Sequence, residues 1–234
     1  MAHRFYCPQL AETGAVLLTE TEAHHLVHVL RTQVDDRVEL FNGAGLAAMC
    51  RVAEIRKRDV TLEVITAAKD EPIQKKVILA TAVPKGDRFD WLIEKATELG
   101  VSQLIPLTTS RSVVDPRSSK LDKLRQTVVA ACKQSGRNGL MEITAVTSWK
   151  DFLKGSASVS KVLVAHPGGI DLEEAVQAGY VDTNLVCFAI GPEGGFTDEE
   201  IELARLAGAH AIQLGHQILR IETAAVALAA RFLL

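Results

Sequence analysis

The 234-residue sequence has no C-x-x-C pair; its four cysteines, Cys7, Cys50, Cys132 and Cys187, are scattered. That spacing reads as reduced thiols of a cytoplasmic protein. Long apolar runs are also missing. None reaches the roughly 18 residues of a membrane span, and Arg220, Glu222 and Arg231 interrupt the Ala-rich stretch from Ile218. The opening MAHRFYCPQL has neither the apolar centre nor the cleavage site of a secretory signal. A cytoplasmic location with no membrane partner is therefore expected. Neither G-x-x-x-x-G-K-[ST] nor G-x-G-x-x-G occurs, so a P-loop and a Rossmann fingerprint are both absent. His24 and His28 lie four apart on a predicted helix, but no second cluster has ligand spacing. No metal is expected. No internal repeat or low-complexity segment is evident.

What is present is an ordinary globular composition, 47% hydrophobic and 24% charged. The net charge of −3 is unevenly spread: residues 1–71 carry −3, residues 72–150 carry +6, and residues 151–234 carry −6. A basic middle in an acidic chain is a candidate polyanion-contacting face, or else a solvated surface neutralised by neighbouring acids.

Two regimes follow one another. Up to about residue 70, strand-like runs (14–18, 37–41, 46–55, 60–65) alternate with turn signals, among them Asn42-Gly43, a hairpin signal. One helix interrupts them, with Thr19 and Glu22 in a capping-box pattern and Ala23, Leu26, Val27 and Leu30 at helical spacing. This predicts a small, mostly antiparallel β-barrel over residues 1–71. Over residues 72–234, apolar runs at 77–83, 104–107, 161–165, 185–190 and 211–214 alternate with helical patterns. Helices are expected from Asp87 to Leu99 and from Ser119 to Ser135, the latter with Leu121, Leu124, Val128 and Ala131 inward. The alternation predicts an α/β domain with a parallel sheet covered on both faces. Trp91 and Trp149 are expected in the interior, the alternative for either being to stack on a base.

Three predicted strand ends look alike: Ala165-His166-Pro167-Gly168-Gly169, Gly191-Pro192-Glu193-Gly194-Gly195, and Leu214-Gly215-His216-Gln217-Ile218-Leu219. Ligands of open α/β sheets bind outside the carboxyl ends of strands. Each corner is either a plain turn or part of a backbone-lined pocket. The helix after the second corner begins with N-cap Thr197, then Asp198, Glu199 and Glu200. Those acids already answer the helix dipole and oppose a phosphate. A ligand without phosphate and bearing positive charge suits the place, and S-adenosylmethionine meets that description.

The stretches IGPEGGFTDEE (190–200) and LGHQILRIETAAVAL (214–228) resemble the SPOUT-superfamily methyltransferases that modify a uridine at N3 in 16S ribosomal RNA. So do HRFY (3–6), HHLVHVLR (24–31), PKGDRFDWLIEKATELGV (84–101), SRSVV (110–114) and KQSGRN (133–138). The resemblance covers nearly the whole chain. It implies an α/β fold: a C-terminal SPOUT-type, trefoil-knotted domain over 72–234 and an N-terminal PUA-like barrel over 1–71. It also implies a homodimer acting on 16S rRNA or the small ribosomal subunit. The knot corners would hold S-adenosylmethionine through Ala165, His166, Pro167, Ile190, Gly191, Glu193, Gly194, Gly195, Leu214, Gly215, Ile218 and Leu219. The sequence departs from the family pattern LGxRILRxETA at Gln217, where Arg is frequent, and at His216, where Pro is common.

Transfer of a methyl group to a uracil nitrogen requires loss of the N3 proton, so a charge that stabilises the anion, or a base, is needed. Arg220 is the candidate stabiliser, and Glu222 would orient it or take a proton; a simple salt bridge at a helix start is the competing reading. RNA phosphates would be met by Arg4, Arg31, Arg111, Lys133 and Arg137, while Lys85 and Arg88 would face the acceptor. A SPOUT enzyme acting on a ribose 2′-oxygen or a guanine, and a non-catalytic RNA-binding assembly factor, are the alternatives.

Overall fold

The computed structural model describes residues 3–114, 121–156, 161–181 and 184–234. The chain divides into two compact units, Met1–Pro72 with Val129–Leu140, and Ile73–Val128 with Met141–Leu234.

In the first unit, β1 (Arg4–Tyr6), β2 (Ala15–Thr19), β3 (Arg37–Phe41), β4 (Leu46–Ile55) and β5 (Asp59–Lys69) pair in the order β1-β3-β4-β5-β2. The β1–β3 pair is parallel and the rest antiparallel. Side chains alternate along β2 and β4, putting Val16, Leu18, Leu46, Ala48, Cys50 and Val52 inward. They meet Phe5, Leu26, Leu40, Val60 and Leu62 in one apolar cluster. The Asn42-Gly43 turn is longer than the two-residue hairpin expected. Asn42 Oδ1 accepts from the amides of Ala44 (2.8 Å) and Leu46 (3.1 Å), closing a loop over residues 42–45.

The helix after β2 differs from its sequence pattern. It is a short α1 (Glu20–His24) that continues as a π-helical turn, His25–Val29. The Thr19–Glu22 capping box is not formed: Thr19 makes no side-chain cap, and Glu20 sits at φ +53°. Glu22 instead pairs with Lys133 Nζ at 2.8 Å. A charge-assisted bond to a half-buried ammonium outcompetes a neutral amide for that carboxylate.

The second unit carries β6 (Lys76–Ala82), β7 (Gln103–Thr108), β8 (Glu142–Ile143), β9 (Thr147–Ser148), β10 (Val162–Asp171), β11 (Leu185–Ile190) and β12 (His210–Gln213). All pairings are parallel, in the order β12-β10-β11-β6-β7-β8, with β9 also on β7. The helices are α2 (Arg88–Leu99), α3 (Leu121–Ser135), α4 (Trp149–Ser156), α5 (Leu172–Gln177), α6 (Asp198–Leu206) and α7 (Ile221–Leu233). Gly100 ends α2 at φ +94°, the left-handed stop that lacks a steric penalty only for glycine. On α3, Leu124, Val128 and Ala131 are buried as the spacing predicts. Its predicted start at Ser119 and the side chain of Leu121 lie outside the described residues. α7 packs on α2 and on β6 and β11, burying Ile221, Ala224, Ala225, Leu228 and Ala229. Trp149 is buried as expected, but Trp91 is 45% exposed on the outer side of α2. The stripe Phe89, Leu92, Ile93 and Ala96 takes the inward side, and position 91 falls between its rows.

β11 reads LVCFAI with all but its first residue buried, the pattern of a strand covered on both faces. Burial pushes the Cys187 thiol up to about 12 and the Cys50 thiol up to about 11. Burial also raises the thiols of Cys7 and Cys132. A raised thiol stays protonated, and the thiolate is the reactive species. At pH 8 a disulfide reagent should therefore label less than one equivalent in the native protein and all four cysteines after denaturation. Rapid native labelling would contradict this packing.

Candidate functional site

The first of the three glycine corners is not a plain turn. β10 runs on through it to Asp171, and Ala165 and Ile170 both register against Ile212 of β12. Residues 166–169 therefore leave the ladder as a four-residue excursion, and the strand resumes beyond it. Gly169 makes this possible. A Cβ there would stand 2.5 Å from the Ile212 nitrogen and 2.6 Å from the Ala211 carbonyl carbon. Both are backbone atoms, and no side-chain rotation relieves such a contact.

The second corner follows β11. The Gly195 amide donates to Pro192 O (2.8 Å), and a Cβ on Gly191 would meet the Phe196 ring at 2.9 Å. The predicted capping box forms here: Thr197 Oγ1 accepts from Glu200 N, and Glu200 Oε2 accepts from Thr197 N (2.9 Å). The same buried carboxylate accepts from Ser110 N through Oε1 (2.8 Å), which fastens the loop after β7 to the corner. Arg111 adds a second tie, with Nη1 donating to Gly194 O at 2.7 Å. Trp149 Nε1 donates to Glu200 O and stacks its ring near Phe196. The third corner leaves β12, with Gly215 at φ +76°, and ends at Arg220, the extended N-cap of α7.

These three strand ends surround one cavity of about 640 Å³, within the range of small-molecule sites. Every residue expected to hold the donor lines it: Ala165, His166 and Pro167; Ile190, Gly191, Glu193, Gly194 and Gly195; Leu214, Gly215, Ile218 and Leu219. Arg220 lines it as well. Phe196, Gln213 and Arg111 also do. The sequence reading missed the first two and placed the third on RNA. His166 Nδ1 is buried with no hydrogen-bond partner among the described residues. A buried polar atom at a cavity wall is available to hydrogen-bond a ligand group.

The matching families agree with this geometry. Residues 70–233 match the model of an RNA methyltransferase domain, and residues 18–65 that of an RNA methyltransferase PUA domain. The ribosomal RNA small subunit methyltransferase E of Bacillus subtilis is 32% identical over 92% of this chain and 88% of its own. The chain belongs to the ribosomal RNA small subunit methyltransferase E family. The Synechocystis member is 32% identical over 96% of this chain and 75% of its own. The crystal structure of the Neisseria gonorrhoeae member, bound to S-adenosyl methionine, superposes with a TM-score of 0.87 at 30% identity. It covers 99% of this chain and 96% of its own.

The remaining residues expected to act in this methyltransferase E family member fall into different settings. Arg220 and Glu222 do not pair. Residues two apart on a helix do not face each other. Glu222 is buried, its Oε1 is 3.7 Å from Arg88 Nη1, and its Oε2 has no partner among the described residues. Arg88 reaches Glu193 at 2.8 Å and donates to Lys85 O at 3.1 Å, so it sits beside the second corner. Arg220 is exposed and makes no side-chain hydrogen bond or ion pair among the described residues. Lys85 is exposed.

In the first unit Arg4 is 7% exposed, bonded to Asn138 Oδ1 and the Cys132 carbonyl, and 3.4 Å from Glu39. Lys133 is taken by Glu22. Burial holds the Arg137 guanidinium below its usual pKa. Arg31 is exposed, at φ +56°. Among the described residues no group of three or more His, Cys, Asp or Glu is placed to hold a metal, and no helix is long and apolar enough to cross a membrane.

Proposed function

We propose that this chain methylates N3 of one uridine in 16S ribosomal RNA of the small subunit, using S-adenosylmethionine, in the cytoplasm and as a homodimer. The observation that carries the reading is the meeting of three strand ends around a single backbone-lined cavity. The donor supplies an electrophilic methyl group. The chain's own residues supply the rest.

The corner backbones offer carbonyls and amides without bulky side chains, and His166 Nδ1 offers a buried polar atom. Asp198 and Glu199 begin α6 and disfavour a phosphate-bearing cofactor there. Arg220, uncommitted at the cavity wall, stabilises the uracil anion once N3 has given its proton to water; N3 then takes the methyl group as the donor's S–CH3 bond breaks, leaving a neutral thioether. Glu222 fixes Arg88, which in turn steadies Glu193 of the second corner. Arg31, exposed on the first unit, and Lys85, exposed on the second, meet RNA phosphates, and Arg4, Lys133 and Arg137 support the first unit from within. The domain assignment that goes with this is a PUA-like RNA-binding barrel over 1–71 and a SPOUT domain over 72–234. The strand excursion at 166–169 and the corner leaving β12 fit a trefoil knot. The Ala-rich, apolar α7 and the 90% exposed Ile218 suit a subunit contact.

The test is methylation of 16S rRNA, naked and within the small subunit, followed by mass mapping. The expected product is a single 3-methyluridine. A methyl group on a ribose oxygen or a guanine, or no transfer by a donor-binding protein, would overturn the assignment.

A further inference from the structure

We propose that Arg111 receives the carboxylate of the donor's amino-acid end, and not an RNA phosphate. This rests on the donor reading above. Three observations lead to it.

The first is placement: Arg111 forms part of the cavity wall, and its stem lies on Gly194, where a Cβ would be 3.4 Å from Arg111 Cδ. The missing side chain at 194 lets the arginine lie along the corner. The second is fixation. Nη1 donates to Gly194 O at 2.7 Å, with Phe196 O at 3.5 Å. The preceding residue is pinned by the Ser110 N to Glu200 bond of 2.8 Å, and Thr109 N donates to Ser112 Oγ at 2.9 Å. Nε and Nη2 have no acceptor among the described residues. A guanidinium anchored on one side and open on another suits a carboxylate, because its planar fork is already oriented. The third is the charge inventory of the wall. Glu193 is answered by Arg88, and Arg220 is exposed and unanchored. Arg111 is the fixed cation. The acids Asp198, Glu199 and Glu200 open the adjoining helix, which weighs more heavily against a polyanionic chain than against one small zwitterion.

Titration calorimetry with S-adenosylmethionine and with its decarboxylated analogue tests the assignment. The wild type should prefer the carboxylated donor. Arg111→Gln keeps a donor for Gly194 O and removes the charge. It should weaken S-adenosylmethionine binding about 10- to 100-fold, and leave the decarboxylated analogue within about threefold. Arg111→Lys, with charge but no fork, should fall between. Equal losses for both compounds would overturn the proposal and make Arg111 a support for the corner. Unchanged donor affinity with an RNA-binding salt slope lowered by about one would overturn it in favour of a phosphate contact. A wild type that binds neither compound would sink the donor reading itself.

Discussion

Arg220→Ala is expected to slow methyl transfer about 10²- to 10³-fold, the usual effect of removing one stabiliser of developing charge. Donor affinity should stay within about threefold, because the guanidinium answers charge that arises only as the uracil proton leaves. The structure supports the separation. Arg220 caps the start of α7 in extended geometry (φ −68°, ψ 159°) and borders the cavity with no protein partner among the described residues. Its removal leaves no buried group stranded. Single-turnover rates at saturating RNA, set beside calorimetry of the donor, give the two numbers. An unchanged single-turnover rate would remove Arg220 from the chemistry. A parallel fall in donor affinity would make it a binding residue.

The second large effect is structural. Gly169→Ala puts a methyl group 2.5 Å from the Ile212 nitrogen, so β10 and β12 must separate or the excursion must move. Overpacking of this kind costs about 1–3 kcal/mol and more where backbone is the obstacle, which for a chain of this size lowers Tm by about 2–12 °C. Donor binding should be lost with it, since His166, Pro167 and Gly168 border the cavity. Gly155→Ala is the control: nothing stands within 4 Å of its added Cβ, and in α4 the change should be neutral or slightly stabilising. A Gly169→Ala protein that melts within about 1 °C of wild type would show that the strand pair tolerates the intrusion.

Much of this arrangement is legible in the amino-acid order. The apolar runs at 77–83, 104–107, 161–165 and 185–190 are strands because parallel strands buried on both faces need continuous apolar side chains. The Thr197–Glu200 box forms as its spacing says. The Thr19–Glu22 box, identical in pattern, does not, because Glu22 has a cation to satisfy that lies 111 residues away. The same limit hides the role of Arg111, whose tie to Gly194 spans 83 residues. The apolar pattern also ends β10 at Ala165, where the strand in fact resumes beyond the excursion as far as Asp171, since nothing local reveals that Ile212 waits on the far side. Short-range patterns report short-range forces. Partners brought by topology have no signature in them.

That waiting partner has a bearing on biogenesis. Among the described residues β12 is the last strand of the sheet to be synthesised, and it lies at one edge. A nascent chain that ends before His210 can pair β6, β7 and β11, but β10 then has a bare edge and the segment 166–169 has no backbone to close against. The first wall of the cavity is therefore completed only after residues 210–213 have emerged from the ribosome. Truncations that keep every residue of the first two corners but stop before residue 210 should pair part of the sheet and capture no donor.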